Sequence, residues 1–214
     1  MRFEIVSGEH YHLFGRGVSK QTIFFDKRDY TRFLFLILHC QSSVNITNTS
    51  HYVTSYIKHS VFNIRGSRHS EILAKRIVAP IAFAIMPNHF HLIIEQISEE
   101  GISEYMHRVL MGYAKYFNAK YERSGHVFQG PYKAVHVDDN EQLLHLSAYI
   151  HKNPSELSLW RGKEERYPWS SLQDFTLKSR WGALLKSDII KDQFTDSASY
   201  KVFVKTSGAK ELKY

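Results

Sequence analysis

The sequence predicts an α+β fold built on an antiparallel sheet of the split βαβ type, with helices on one face. Three observations carry this reading. The elements run strand, helix, two strands, helix, strand, helix. The two central strands are separated only by a proline–asparagine turn. Two long segments repeat their apolar residues at helical spacing.

Taken in order, residues 9–15 alternate loosely and are rich in aromatics, which predicts a strand ending in a turn at Gly15-Arg16-Gly17. From Asp26 to Cys40 the chain predicts a helix. Asp26 or Asp29 is its cap, and Tyr30, Phe33, Leu34 and Ile37 form its stripe. Residues 41–75 open on an Asn/Ser/Thr-rich stretch and predict an insertion or irregular connection, with a short helix or strand around Tyr52 to Phe62. Residues 76–96 predict two strands joined at Met86-Pro87-Asn88, where proline fixes φ and asparagine suits the bend. Gly101 to Arg123 predicts a long helix capped by Ser103, with Met106, Val109, Leu110, Tyr113, Phe117 and Tyr121 along one side. A loop and strand follow over Val127 to Val137. Asp138 and Asp139 then precede a helix over Glu141 to Lys152 that Asn153-Pro154 closes. This is the ferredoxin-like, RRM-like order. Residues 1–160 read as one domain, and residues 161–214 as a C-terminal helical extension packed on it.

Composition limits the function. Of 214 residues, 43% are hydrophobic, enough for a core. Lys and Arg number 28 against 21 acidic residues, a net charge of +7 that favours approach to a phosphate backbone. One cysteine, Cys40, permits neither an internal disulfide nor a thiolate zinc site, and fits a reducing, cytoplasmic setting. The N-terminus lacks the apolar run of a signal peptide. The longest strongly apolar stretch, Phe33 to Leu38, is too short to span a bilayer, so no membrane partner is expected.

The sharpest local feature is Pro87-Asn88-His89-Phe90-His91-Leu92. On a strand, His89 and His91 share one face while Phe90 and Leu92 take the other, so the two imidazoles can grip one divalent metal. The chain has 13 histidines, so an H-x-H pair alone is common; His10 and His12 form another, which lines the sheet face or contacts nucleic acid. The second feature is Leu146-Ser147-Ala148-Tyr149-Ile150-His151-Lys152-Asn153-Pro154. Tyr149 and Asn153 are one helical turn apart and share a face. An asparagine carbonyl can join two histidines at a hard cation and leave positions open for a phosphate oxygen. Tyr149 would then stand one turn from that metal as a nucleophile. Tyr113, Tyr116 and Tyr121 are its rivals, but none has a ligand-type residue one turn onward.

The ordered set MPNHFHLIIE, YFNAKYERSGHVFQGPYKAV and HLSAYIHKNP, with YPWSSL and YKVFV beyond it, resembles the insertion-sequence 200/605 family of single-tyrosine HUH transposases, and within it the REP-associated tyrosine transposases. The resemblance runs from about His10 to Phe203. It implies that His89 and His91 are the HUH pair, that Asn153 completes a site for Mg²⁺ or Mn²⁺, and that Tyr149 is the catalytic tyrosine. It also implies a single-stranded DNA substrate beside a hairpin, attachment to the 5′ side of the cut, and action as a monomer or homodimer. Many relatives have arginine where Pro131 stands, and residues 41–75 do not align. Candidate DNA contacts are Arg16 and Lys20 after the first strand, Lys115, Lys120 and Arg123 on or after the long helix, and Gln129, Tyr132 and Lys133 in FQGPYKA, where basic and aromatic residues interleave. The alternative is a non-catalytic nucleic-acid-binding module of the same shape, which has no need of His89, His91, Tyr149 and Asn153 together. Relaxases and replication initiators share the HUH site but usually carry further domains.

Overall fold

The computed structural model describes residues 5–64 and 66–208. Its elements are β1 (His10–Arg16), α1 (Lys27–His39), α2 (Thr49–His59), α3 (Gly66–Ala74), β2 (Val78–Met86), β3 (His89–Gln96), α4 (Gly101–Lys120), β4 (Lys133–His136), α5 (Asn140–Lys152), α6 (Leu172–Thr176), α7 (Asp188–Lys191) and α8 (Ser197–Thr206). Among the described residues the strands form one antiparallel sheet in the order β2-β3-β1-β4, the split βαβ arrangement.

One face of the sheet is the apolar core. Leu13, Phe83, Ile85, Phe90 and Leu92 are buried there, and Phe33 of α1 packs on Phe90 at 5.0 Å between ring centroids. Tyr113 of α4 meets Phe33 edge-on. Gly15 lies opposite Phe90 across β1 and β3, and a Cβ there would stand 2.9 Å from the Phe90 ring, so glycine makes room for the aromatic.

The other face is not open, contrary to the expectation of helices on one side only. There α5 packs on β2 and β3, with the Tyr149 ring 5.4 Å from His91. The small Ala82 and Ala84 sit beside Ile93 and His91 on β2, so a helix can lie close over the sheet. α8 then clasps α5. His151, fully buried, bonds the Tyr200 hydroxyl through Nδ1 at 2.6 Å and the Ser171 hydroxyl through Nε2 at 2.7 Å, while Tyr200 donates to Ser147 at 3.0 Å. The C-terminal residues also finish the sheet edge. Ile85 N–H donates to Trp169 O, Ser171 N–H to Phe83 O, and Lys186 N–H to Pro80 O. The outer edge of β2 is thereby covered rather than left as a template for aggregation.

Other elements depart from the sequence reading. Residues 41–75 are largely helical: α2 folds onto α1, with Val53 and Tyr56 buried and Tyr52 stacked on Phe35 at 5.5 Å, and α3 buries Ile72. Ser103 is not a cap. α4 starts earlier, after Glu100 in a left-handed conformation (φ 58°), because the Gln96 side chain accepts the Ile102 amide at 3.1 Å and so stands in for a capping residue. Gly15-Arg16-Gly17 is not a turn, since Gly17 continues the strand direction in a bridge with Phe128. Asn153 keeps helical angles (φ −51°, ψ −42°), and the helix tightens into a 3-10 turn over Asn153–Glu156 instead of stopping.

Candidate active site

The second sheet face carries rows of polar side chains set by strand register. Arg16 pairs with His89, and Phe14 pairs with His91 on one side and Lys133 on the other. Because paired residues in an antiparallel sheet point the same way, β1, β3 and β4 present these groups to one space. α5 roofs that space with Tyr149 and Asn153. The result is a cleft of about 430 Å³ bordered by His89, His91, Tyr149, Asn153, Arg16 and Lys133, with Gln129, Pro131 and Glu156 at its rim.

Within the cleft, His89 Nε2 faces Asn153 Oδ1 at 3.1 Å, and His89 Nδ1 contacts Asn88 Oδ1 at 2.7 Å. A neutral His89 that donates Nδ1–H to Asn88 leaves Nε2 as a lone pair aimed at the cleft. His91 is held by a residue that sequence reasoning left outside the site: His12 Nε2 lies 2.9 Å from His91 Nδ1. His12 and His91 also stack, with ring centroids 5.1 Å apart. The signal for His12 is its place on the face of β1 that looks into the cleft, which depends on which strand β1 pairs with. Burial pushes all three imidazoles toward the neutral form. His12 is lowered to about 3, His89 is lowered by desolvation against the opposing pull of Asn153, and His91 is lowered well below its ordinary value by desolvation, with His12, His89 and Arg16 adding to it. Neutral rings keep the lone pairs that a cation requires.

The rival tyrosines are committed elsewhere. Tyr113 is fully buried and donates to Ile23 O. Tyr116 and Tyr121 donate to the buried Asp29 carboxylate at 2.8 and 2.6 Å, and Lys120 reaches the same carboxylate at 2.6 Å. All three lie on or just beyond α4, on the far side of the sheet from His89 and His91. Among these four tyrosines, Tyr149 alone borders the cleft.

The candidate DNA contacts divide. Arg16, Gln129 and Lys133 border the cleft, with Lys133 Nζ 5.9 Å from the Phe14 ring centre. Lys20 and Arg123 do not line it. The Lys20 carbonyl accepts from Asn88, and Arg123 donates to Gln21 Oε1 at 3.3 Å. Tyr132 is half-buried and does not border the cleft. Lys115 is exposed on α4, away from it. Lys120 is bound to Asp26 and Asp29, which occupies its charge in holding α4 to α1.

No described helix is long and apolar enough to cross a membrane. The family model described as transposase IS200 like matches residues 36–153, a span that includes His89, His91, Tyr149 and Asn153. A solved structure of the REP-associated tyrosine transposase bound to a REP hairpin superposes with a TM-score of 0.51 at 13% identity, over 81% of this chain and 82% of that one, a likeness of fold. No curated protein matches. With more than half its length matched, this chain belongs to the IS200-like transposase family.

Proposed function

We propose that the protein is a REP-associated type of HUH transposase that cuts and rejoins single-stranded DNA beside a hairpin, with Tyr149 as nucleophile. One observation carries the reading: His89, His91, Asn153 and Tyr149 border a single cleft within one chain, alongside Arg16 and Lys133. The family supplies the transposase class, and the hairpin in the structurally similar transposase suggests the substrate.

The donor set suits Mg²⁺ or Mn²⁺ held through His89 Nε2, His91 Nε2 and Asn153 Oδ1. The two rings are neutral and the amide oxygen already faces His89. Among the described residues no group of three or more His, Cys, Asp or Glu could hold a metal ion; two imidazole nitrogens and one amide oxygen would leave coordination positions that a DNA phosphate oxygen could take. When bound, such a cation polarises a non-bridging phosphate oxygen. The chain's own residues do the rest. His12 Nε2 stands 2.9 Å from His91 Nδ1; with His91 as the donor, this contact fixes the tautomer that leaves His91 Nε2 to ligate. Arg16 and Lys133 draw the phosphate backbone in. The Tyr149 oxygen forms a bond to phosphorus as the P–O3′ bond breaks, the phenol losing a proton and the 3′-oxygen gaining one. A 5′-phosphotyrosine and a free 3′-hydroxyl result. The reverse attack by a 3′-hydroxyl rejoins a strand without ATP.

The test is a denaturing gel of the protein with labelled single-stranded DNA carrying hairpins from its genomic neighbourhood, in Mn²⁺ or Mg²⁺. Wild type forms a covalent adduct, and Tyr149→Phe and His89→Ala do not. An adduct that survives Tyr149→Phe removes the proposed nucleophile.

A further inference from the structure

A second cleft, of about 400 Å³, lies between the start of α1, the end of α2 and the segment before α6. Its walls are aromatic: Phe25, Tyr30, Tyr56 and Trp169, with Lys27 at the edge. Tyr30 and Trp169 stack at 4.9 Å and 17°, forming a rigid floor. Phe25 is 58% exposed, yet its ring is fixed against Tyr121 at 5.2 Å and Phe117 at 6.2 Å. A single exposed aromatic is ordinary. A fixed, exposed ring at the mouth of an aromatic cleft with a lysine on its rim is a stacking platform.

Its position ties it to the active cleft. Ile23 and Phe24 donate their amides to Pro87 O at 2.9 and 3.0 Å, and Ile85 donates to Trp169 O at 2.9 Å. The segments carrying Phe25 and Trp169 are thereby fastened to the end of the β2–β3 hairpin, where Pro87 stands two residues before His89. Lys20, whose carbonyl accepts from Asn88 of that turn, and Lys27, which lines the aromatic cleft, are cations that suit a phosphate backbone running between the two clefts. Among the described residues that line the aromatic cleft, the one acid, Asp26, is paired with Lys120 at 2.7 Å.

We propose that this aromatic cleft binds unpaired bases of the strand that flanks the cut, holding the DNA beyond the reactive phosphate. The inference rests on the single-stranded DNA reading above. Phe25 stacks on a base, and the Tyr30–Trp169 floor receives it.

The probes are fluorescein-labelled oligothymidylates of five and fifteen nucleotides, measured by anisotropy at one fixed salt concentration. The long probe spans both clefts, and wild type binds it more tightly than the short one. Phe25→Ala weakens the long probe about tenfold, the loss of one stacked base, and leaves the short probe nearly unchanged. Phe25→Trp keeps long-probe binding, and its added fluorescence is quenched by unlabelled fifteen-nucleotide oligothymidylate. An unchanged long-probe affinity in Phe25→Ala, or unquenched Phe25→Trp fluorescence, overturns the proposal. The hairpin adduct separates the two readings. An adduct combined with Phe25-independent binding removes the aromatic subsite alone, while Phe25-dependent binding without any adduct removes the catalytic reading alone.

Discussion

Acid should loosen this fold from inside, through imidazoles that are buried neutral. His151 is fully buried between Tyr200 and Ser171, and desolvation lowers its pKa from 6.5 to about 3. His39, 3% exposed, contacts Phe35 O through Nδ1 at 2.9 Å and is lowered to about 4 by burial. In both, the folded value lies below the unfolded one, so the unfolded chain takes up protons that the native chain refuses. The stability they contribute is complete above about pH 6.5, falls as the pH drops below that, and levels off only beneath the folded values. At pH 5 each costs about 2 kcal/mol, together about 4 kcal/mol, a large share of the roughly 5–15 kcal/mol that holds a domain. Urea unfolding followed by tryptophan fluorescence at pH 7.5 and pH 5 measures the loss. The His39→Gln/His151→Gln double variant should lose about 4 kcal/mol less than wild type over that interval, and each single variant about half of that. Equal losses in wild type and the double variant would refute the linkage. Since His151 joins α5 to α8, acid should also lower the yield of Tyr149 adduct before the chain unfolds.

Two further outcomes follow from particular contacts. Asp29, fully buried, accepts from the Phe25 amide, Tyr116, Tyr121 and Lys120. Asp29→Asn leaves Lys120 without its buried partner and should cost about 3 kcal/mol by denaturant titration, toward the lower end of the range because Lys120 is partly exposed. His12→Phe keeps the packing against His91 but removes the acceptor at His91 Nδ1. Mn²⁺ affinity measured calorimetrically should fall about 10–100-fold with little change in hairpin binding, and an unchanged Mn²⁺ affinity would deny His12 its positioning role.

Local periodicity was enough for much of this molecule. Strand alternation put His89 and His91 on one face, a helical turn put Tyr149 beside Asn153, and the Pro87-Asn88 turn separated β2 from β3, because each depends on residues within a few positions of one another. The sheet type followed from element order. The nature of residues 41–75 did not, since α2 owes its stability to packing on α1, and α3 to burying Ile72, more than to propensity. The start of α4 was likewise set by the Gln96 side chain reaching the Ile102 amide, not by Ser103. His12 entered the site through the antiparallel register of β1 with β3, in contact with a residue 79 positions away. Tyr149 came to the histidines because Ala82 and Ala84 let α5 lie close on the sheet and because Tyr200 of α8 holds His151 from behind. The sequence by itself determined which residues could share a face. Only the tertiary structure decided which faces meet, because register and layer packing are chosen by burial summed over the whole core and no local segment encodes that sum.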